Sequence, residues 1–194
     1  SAAWGEDDVW DVALRYAGEV AGFKLAAVAA YGDNTGGNFG KVYLSNPPSE
    51  DGGLGWAEAY TGAADTDYFQ AGIYLQHIGT GLFGLVNYGH LDIDEAGAEN
   101  ELDTWYFKGG LRRNWNHLGA TVLYGEYQNA ELDSGPEHDF WGLGVVQEID
   151  AAAMSLWLSY RQFSASGYNL EDDDGNPLTL QDFDMIKFGA LINF

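Results

Sequence analysis

The chain contains no cysteine, which removes disulfides, cysteine-ligated zinc, iron–sulfur clusters and thiol nucleophiles from its chemistry. Bases are scarce as well. The 8 Lys and Arg stand against 30 Asp and Glu, for a formal charge of −22. A general affinity for nucleic-acid phosphates, which needs clustered Lys and Arg, is therefore excluded. No uncharged apolar run approaches the roughly 18 residues a membrane helix needs; the best stretch, from Gly22 to Tyr31, is short and carries Lys24. No secretory signal opens the sequence, whether removed or never part of this segment. Proline is limited to 4 residues.

What remains is rich in sheet-forming chemistry. Hydrophobic residues make up 46% and aromatics 15%, too much for a disordered acidic tail, and 27 glycines accompany 12 Tyr, 10 Phe and 7 Trp. At 194 residues the chain reads as a single large domain, 1–194, or part of a larger one. Alternation with period two recurs along it. Trp10, Val12, Leu14 and Tyr16 are one apolar set, and Phe23, Leu25, Ala27, Ala29 and Tyr31 the next. Phe69 to Leu75, Trp105 to Leu111, Met154 to Tyr160 and Ile186 to Phe194 repeat the pattern, and 82–91, 118–127 and 140–149 follow it less regularly. The expectation is an all-β chain of about ten strands: 1–5, 8–18, 22–32, 67–78, 81–92, 103–113, 117–128, 138–149, 152–164 and 182–194.

Their connections alternate between short turns near Gly18–Ala21, Gly79–Thr80, Asn114–Asn116 and Asp150–Ala151 and long polar stretches at 33–66, 93–102, 129–137 and 165–181. That sidedness belongs to a transmembrane antiparallel up-and-down β-barrel. The apolar face is expected to end in the interfacial aromatics Tyr16, Tyr31, Tyr88, Tyr124 and Tyr160, while the other face mixes Gly, Ala, Ser, Gln, Tyr and isolated bases. A soluble acidic β-sandwich is the alternative, with those tyrosines as core residues.

The stretch Ile186-Lys187-Phe188-Gly189-Ala190-Leu191-Ile192-Asn193-Phe194 resembles the terminal strand of bacterial outer-membrane barrels. Asp8 to Glu19 followed by Gly22-Phe23-Lys24, then Leu123-Tyr124-Gly125-Glu126-Tyr127 and Trp141-Gly142-Leu143-Gly144, resemble strands of Gram-negative general porins, of the alphaproteobacterial type. The resemblance implies a location in the outer membrane of a Gram-negative bacterium and contact with lipopolysaccharide. It also implies a homotrimer, barrel-assembly machinery that reads Phe194, and no cofactor. Porins of this kind have sixteen strands and about twice this length, so the resemblance implies the C-terminal part of one, without its constriction loop; a complete ten-stranded barrel is the alternative.

Six bases, Arg15, Lys24, Lys108, Arg112, Arg161 and Lys187, fall on the lumen parity of their strands. A charge facing lipid costs about 2–4 kcal/mol at the midplane, so any membrane barrel keeps bases off that face. Arg15, Lys24, Lys108, Arg161 and Lys187 are the candidate pore-lining residues, and Arg112 lies next to a turn. The acids Asp92, Asp94, Glu95 and Glu99 form a candidate mouth cluster, which with the net charge implies cation preference. Asp172-Asp173-Asp174-Gly175-Asn176 lacks the distal bidentate Glu of a calcium loop, so no metal site is assigned. His90 lies two residues before Asp92, and His138 adjoins Asp139. Such rim pairs would suit an omptin-like outer-membrane protease, the enzymatic alternative to a passive channel.

Overall fold

The computed structural model describes residues 2–4, 9–34, 42–45, 56–59, 64–95, 98–168, 170–171 and 176–192. The strands are β1 (Ala2–Trp4), β2 (Val9–Val20), β3 (Phe23–Asn34), β4 (Val42–Ser45), β5 (Trp56–Ala59), β6 (Ala64–His77) and β7 (Leu82–Glu95). They continue with β8 (Ala98–Arg113), β9 (Thr121–Leu132), β10 (Glu137–Ile149), β11 (Met154–Ser166), β12 (Leu170–Glu171), β13 (Pro177–Leu178) and β14 (Phe183–Ile192). Ten of them form one antiparallel sheet in the order β1-β2-β3-β6-β7-β8-β9-β10-β11-β14, so each strand pairs with the next long strand in sequence. The sheet is not closed: β1 and β14 are its edges. Two small hairpins, β4–β5 and β12–β13, occupy the long connections that the sequence presented only as polar loops.

Local chemistry fixes the turns. Val20 pairs with Phe23 around Ala21 and Gly22, whose φ values of 50° and 82° make the doubly left-handed turn that matches strand twist. Glycine adopts that region without strain. The expected turn at Asn114–Asn116 is longer than the sequence suggests. Strand β9 begins at Thr121 instead of 117; before it, Leu118 N–H turns to Asn116 Oδ1 (2.9 Å), while the Ala120 and Leu118 carbonyls still accept from Glu148 and Asp150 N–H (2.8 Å each) in the β9–β10 register.

The two faces differ in kind. On one, large apolar side chains stand uncovered across the sheet, with Leu14 75%, Ile186 71% and Phe188 81% exposed, beside Ile73, Phe107, Leu143, Leu156 and Leu158. A patch this continuous far exceeds what a water-facing monomer presents. On the other face lie all the buried residues of the ten strands, among the described residues: Gln76, Gly89, Glu126, Phe140, Gly142 and Ser159. The sheet therefore curls toward its polar side. Leu14, Leu25, Phe107, Leu156 and Phe188 share the apolar face, and Arg15, Lys24, Lys108, Arg161 and Lys187 the polar one.

Tyr31, Tyr88 and Tyr160 lie on the apolar face, as expected. Tyr124 does not: it pairs with Gly110 and Gly144 on the polar face, and Tyr127 occupies the apolar position on β9 instead. The irregular alternation of 118–127 hides this phase, which only the register with β8 resolves. Strands β7 and β8 also run on to Glu95 and Ala98, so the expected long loop at 93–102 is mostly paired strand.

Candidate functional site on the polar face

One cross-strand row organises the polar face. Lys108 on β8 pairs with Glu126 on β9, Glu126 with Gly142 on β10, and Gly142 with Arg161 on β11. The glycine is a notch. Arg161 leans across β10 and donates from Nε to Glu126 Oε1 at 2.7 Å. A Cβ at Gly142 would lie 2.9 Å from Arg161 Cγ and 2.8 Å from the Tyr160 carbonyl oxygen, so a larger residue would push the guanidinium away. Tyr106, two positions along β8 from Lys108, donates its hydroxyl to Glu126 Oε2 at 2.6 Å, and Lys108 Nζ stands 4.0 Å from that oxygen.

The Glu126 side chain is fully covered, those of Lys108 and Arg161 27% and 29% exposed. Aromatic faces hold the bases in place: Lys108 Nζ lies 3.6 Å over the Tyr124 ring, and Arg161 Cζ 4.6 Å over that of Phe140. One carboxylate between two cations leaves a net positive charge, with the cationic edges turned to the open side of the row. The arrangement offers fixed charges and donors. What the row can offer an approaching group is charge and hydrogen-bond donors.

The other expected bases are spread out. Lys24 Nζ lies 3.8 Å from Glu19 beside the first turn, and Arg112 forms a bidentate pair with Glu148. Among the described residues Arg15 and Lys187 make no ion pair. Glu126 is the member the sequence reading missed. A lone acid at lumen parity opposite Lys108 was the available signal, but its meaning depends on the register.

The expected mouth acids stand at the end of β7 and the start of β8. Asp92, Asp94 and Glu99 share the face of Val86, Tyr88 and Phe107, not that of Lys108. The backbone of Glu95 pairs with Ala64 and Ala98, and its side chain is outside the described residues. Phe194 and the acids Asp172, Asp173 and Asp174 also lie outside them. Of the two rim pairs, His90 meets Asp92 (Nε2 to Oδ1, 3.2 Å), whereas His138 and Asp139 stand on opposite faces of β10 and His138 contacts the Tyr168 hydroxyl.

An antiparallel up-and-down sheet, apolar outside and charged inside its curl, is the wall of an outer-membrane β-barrel. Solved structures share this fold. The outer-membrane expressed OmpT of Vibrio cholerae aligns at a TM-score of 0.56 with 11% identity, covering 95% of this chain and 56% of that one. Its loop L8 deletion mutant aligns at 0.54 with 12% identity over 97% and 60%, and its in-vitro folded trimer form at 0.50 with 12% identity over 97% and 61%. The chain thus spans about three-fifths of the length of these structures. No family model matches the sequence, and no curated protein matches it.

Proposed function

We propose that this chain forms part of the wall of a water-filled channel in the outer membrane of a Gram-negative bacterium, a porin passing ions and small hydrophilic solutes by passive diffusion. The observation that carries the reading is the division between the faces: an uncovered apolar surface backs a polar one on which Lys108, Glu126 and Arg161 form a fixed charged row. Hydrocarbon tolerates no unpaired strand edge, so the proposed wall closes in the membrane, either by β1 meeting β14 or through further strands as in a sixteen-stranded barrel. Homotrimeric assembly and contact with lipopolysaccharide belong to the same proposal; OmpT of Vibrio cholerae has itself been solved in a trimer form.

The proposed preference for cations rests on the net charge of −22 rather than on Asp92, Asp94 and Glu99, which turn away from the polar face. A second reading, an omptin-like protease, draws on the His90–Asp92 contact. We place it second because that pair lies on the apolar, aromatic-bearing face, away from the curl where a hydrophilic substrate would sit. Conductance of the full-length protein in planar bilayers tests the proposal. Stepwise, ohmic channel openings without peptide hydrolysis support it. Peptide hydrolysis lost on replacing His90 by Ala reverses the ranking.

A further inference from the structure

His90 sits where three strands bring their acids into register on the apolar face, just past the aromatics. The row Asp67–Asp92–Glu101 crosses β6, β7 and β8, and the row Asp65–Asp94–Glu99 lies beyond it. Like charges placed directly opposite destabilise a sheet, and the row Asp67–Asp92–Glu101 sets three carboxylates side by side next to His90. The acids line a cavity of about 350 Å³.

The histidine makes this more than an acidic surface. Its Nδ1 lies 2.9 Å from Asp103 Oδ1, and the same oxygen accepts the Tyr88 hydroxyl at 2.6 Å. Asp103 offers only acceptors, so Nδ1 carries the proton and donates. That leaves Nε2 as the nitrogen facing Asp92 Oδ1, 3.2 Å away. At that distance a positive charge, carried by a proton or by a metal ion, joins the two. The arrangement matches that of a metal-binding histidine whose other nitrogen is oriented by a carboxylate.

We infer that His90 Nε2, Asp92 and Glu101 form a binding site for a divalent transition ion of the zinc type, with Asp103 and Tyr88 as positioning residues. Ligand atoms of the three residues lie within 4.8 Å of one another. Four-coordinate zinc, with bonds of about 2.0–2.1 Å, sets neighbouring ligands roughly 3.3 Å apart. The His90–Asp92 edge already meets that spacing, and a rotamer adjustment of the exposed Glu101 supplies the third donor. One imidazole with two carboxylates favours zinc over calcium or magnesium, which take oxygen shells. The fourth position stays open to water. Bridging β7 and β8, the ion fastens the ends of the longest hairpin and offsets the repulsion within the rows. The inference does not depend on the channel reading.

The test is a calorimetric titration of the full-length protein, folded in detergent, with zinc ions alone. One saturable ion per chain is expected. His90→Gln or Glu101→Gln should weaken it at least tenfold, Asp103→Asn by about 10–100-fold, and His138→Gln not at all. Folding of each variant is checked by its sheet circular dichroism; should His90→Gln not fold, X-ray absorption of the zinc-loaded unmodified protein replaces it. A shell with one nitrogen upholds the inference, and an all-oxygen shell overturns it. Binding unchanged in a folded His90→Gln variant, or only weak multi-ion binding that magnesium matches, also overturns it. In those cases a proton joins His90 and Asp92.

Discussion

Tyr88 donates its hydroxyl to Asp103 at 2.6 Å across the β7–β8 ladder, to a carboxylate two positions beyond its paired residue Trp105. The same diagonal recurs at every second junction of the sheet from β3–β6 onward. Tyr31 reaches Asp67, Tyr127 reaches Asp139 and Tyr160 reaches Asp184, at 2.9, 2.6 and 2.7 Å. Each tyrosine lays its ring along the apolar face and turns its hydroxyl toward the first charged position beyond it. This is the layering expected where hydrocarbon gives way to headgroups and water.

Removing one of these hydroxyls should weaken the wall without changing its fold. Tyr88→Phe keeps the ring against Trp105, whose centroid is 4.6 Å away, and removes only the bond to Asp103. The expected loss is about 1 kcal/mol of unfolding free energy, read from urea unfolding of the protein in lipid vesicles. Tyr88→Ala, which also removes the ring, should cost more. No loss in Tyr88→Phe would show that the hydroxyl contributes nothing.

Glu126 should act as a selectivity element. Glu126→Gln leaves Lys108 and Arg161 without their carboxylate, so the polar row becomes more cationic. Reversal potentials in a salt gradient should move toward chloride. Adding Lys108→Met should move them part of the way back, since one of the two uncompensated cations is then gone. A reversal potential that ignores Glu126→Gln would place the row outside the ion path.

The notch in β10 gives a steric version of that test. Gly142→Val forces atoms into space held by Arg161 Cγ and the Tyr160 carbonyl, so Arg161 must leave Glu126. Stability should fall by roughly 1–3 kcal/mol, and the reversal potential should shift in the same direction as in Glu126→Gln. Gly84→Ala serves as a control, because a Cβ there meets nothing within 4 Å.

The ten strands were legible because a wall with different solvents on its two faces must alternate, and Leu14–Arg15, Phe107–Lys108 and Leu158–Ser159 write that alternation directly. Its ends were less legible because the phase inverts. Before Gly89 on β7 the apolar residues Val86 and Tyr88 share one face; after it His90, Asp92 and Asp94 take that face, and Leu91 and Ile93 the other. The strand continues, but its apolar set changes sides, and a reading that follows one parity ends there. The site was legible in part. Parity alone puts Lys108 and Arg161 on one face, but their meeting on Glu126 spans 35 residues from Glu126 to Arg161 and depends on Gly142 between them. His90 and Asp92 stood out by spacing. Asp103, which orients the histidine, comes from the neighbouring strand and could not.

The last prediction separates the acids of the rim from those of the wall. Asp92, Asp94 and Glu99 point to the face opposite Lys108, so the sheet itself stands between them and the proposed ion path. Exposed charges are screened beyond roughly 8–10 Å at physiological ionic strength. Changing all three to their amides removes 3 of the 30 acids, yet the potassium-to-chloride preference near 0.15 M should hardly move, by less than for the single change Glu126→Gln. At about 0.01 M salt, where screening extends to roughly 30 Å, a reduction in potassium preference should emerge. Stability should respond in the opposite sense. Relieving the repulsion between Asp94 and its partners Asp65 and Glu99, and between Asp92 and Glu101, should raise the urea midpoint measured in metal-free buffer. A large change of selectivity at physiological salt would mean that these acids reach the conduction path, and the outward placement of the rim would then be wrong.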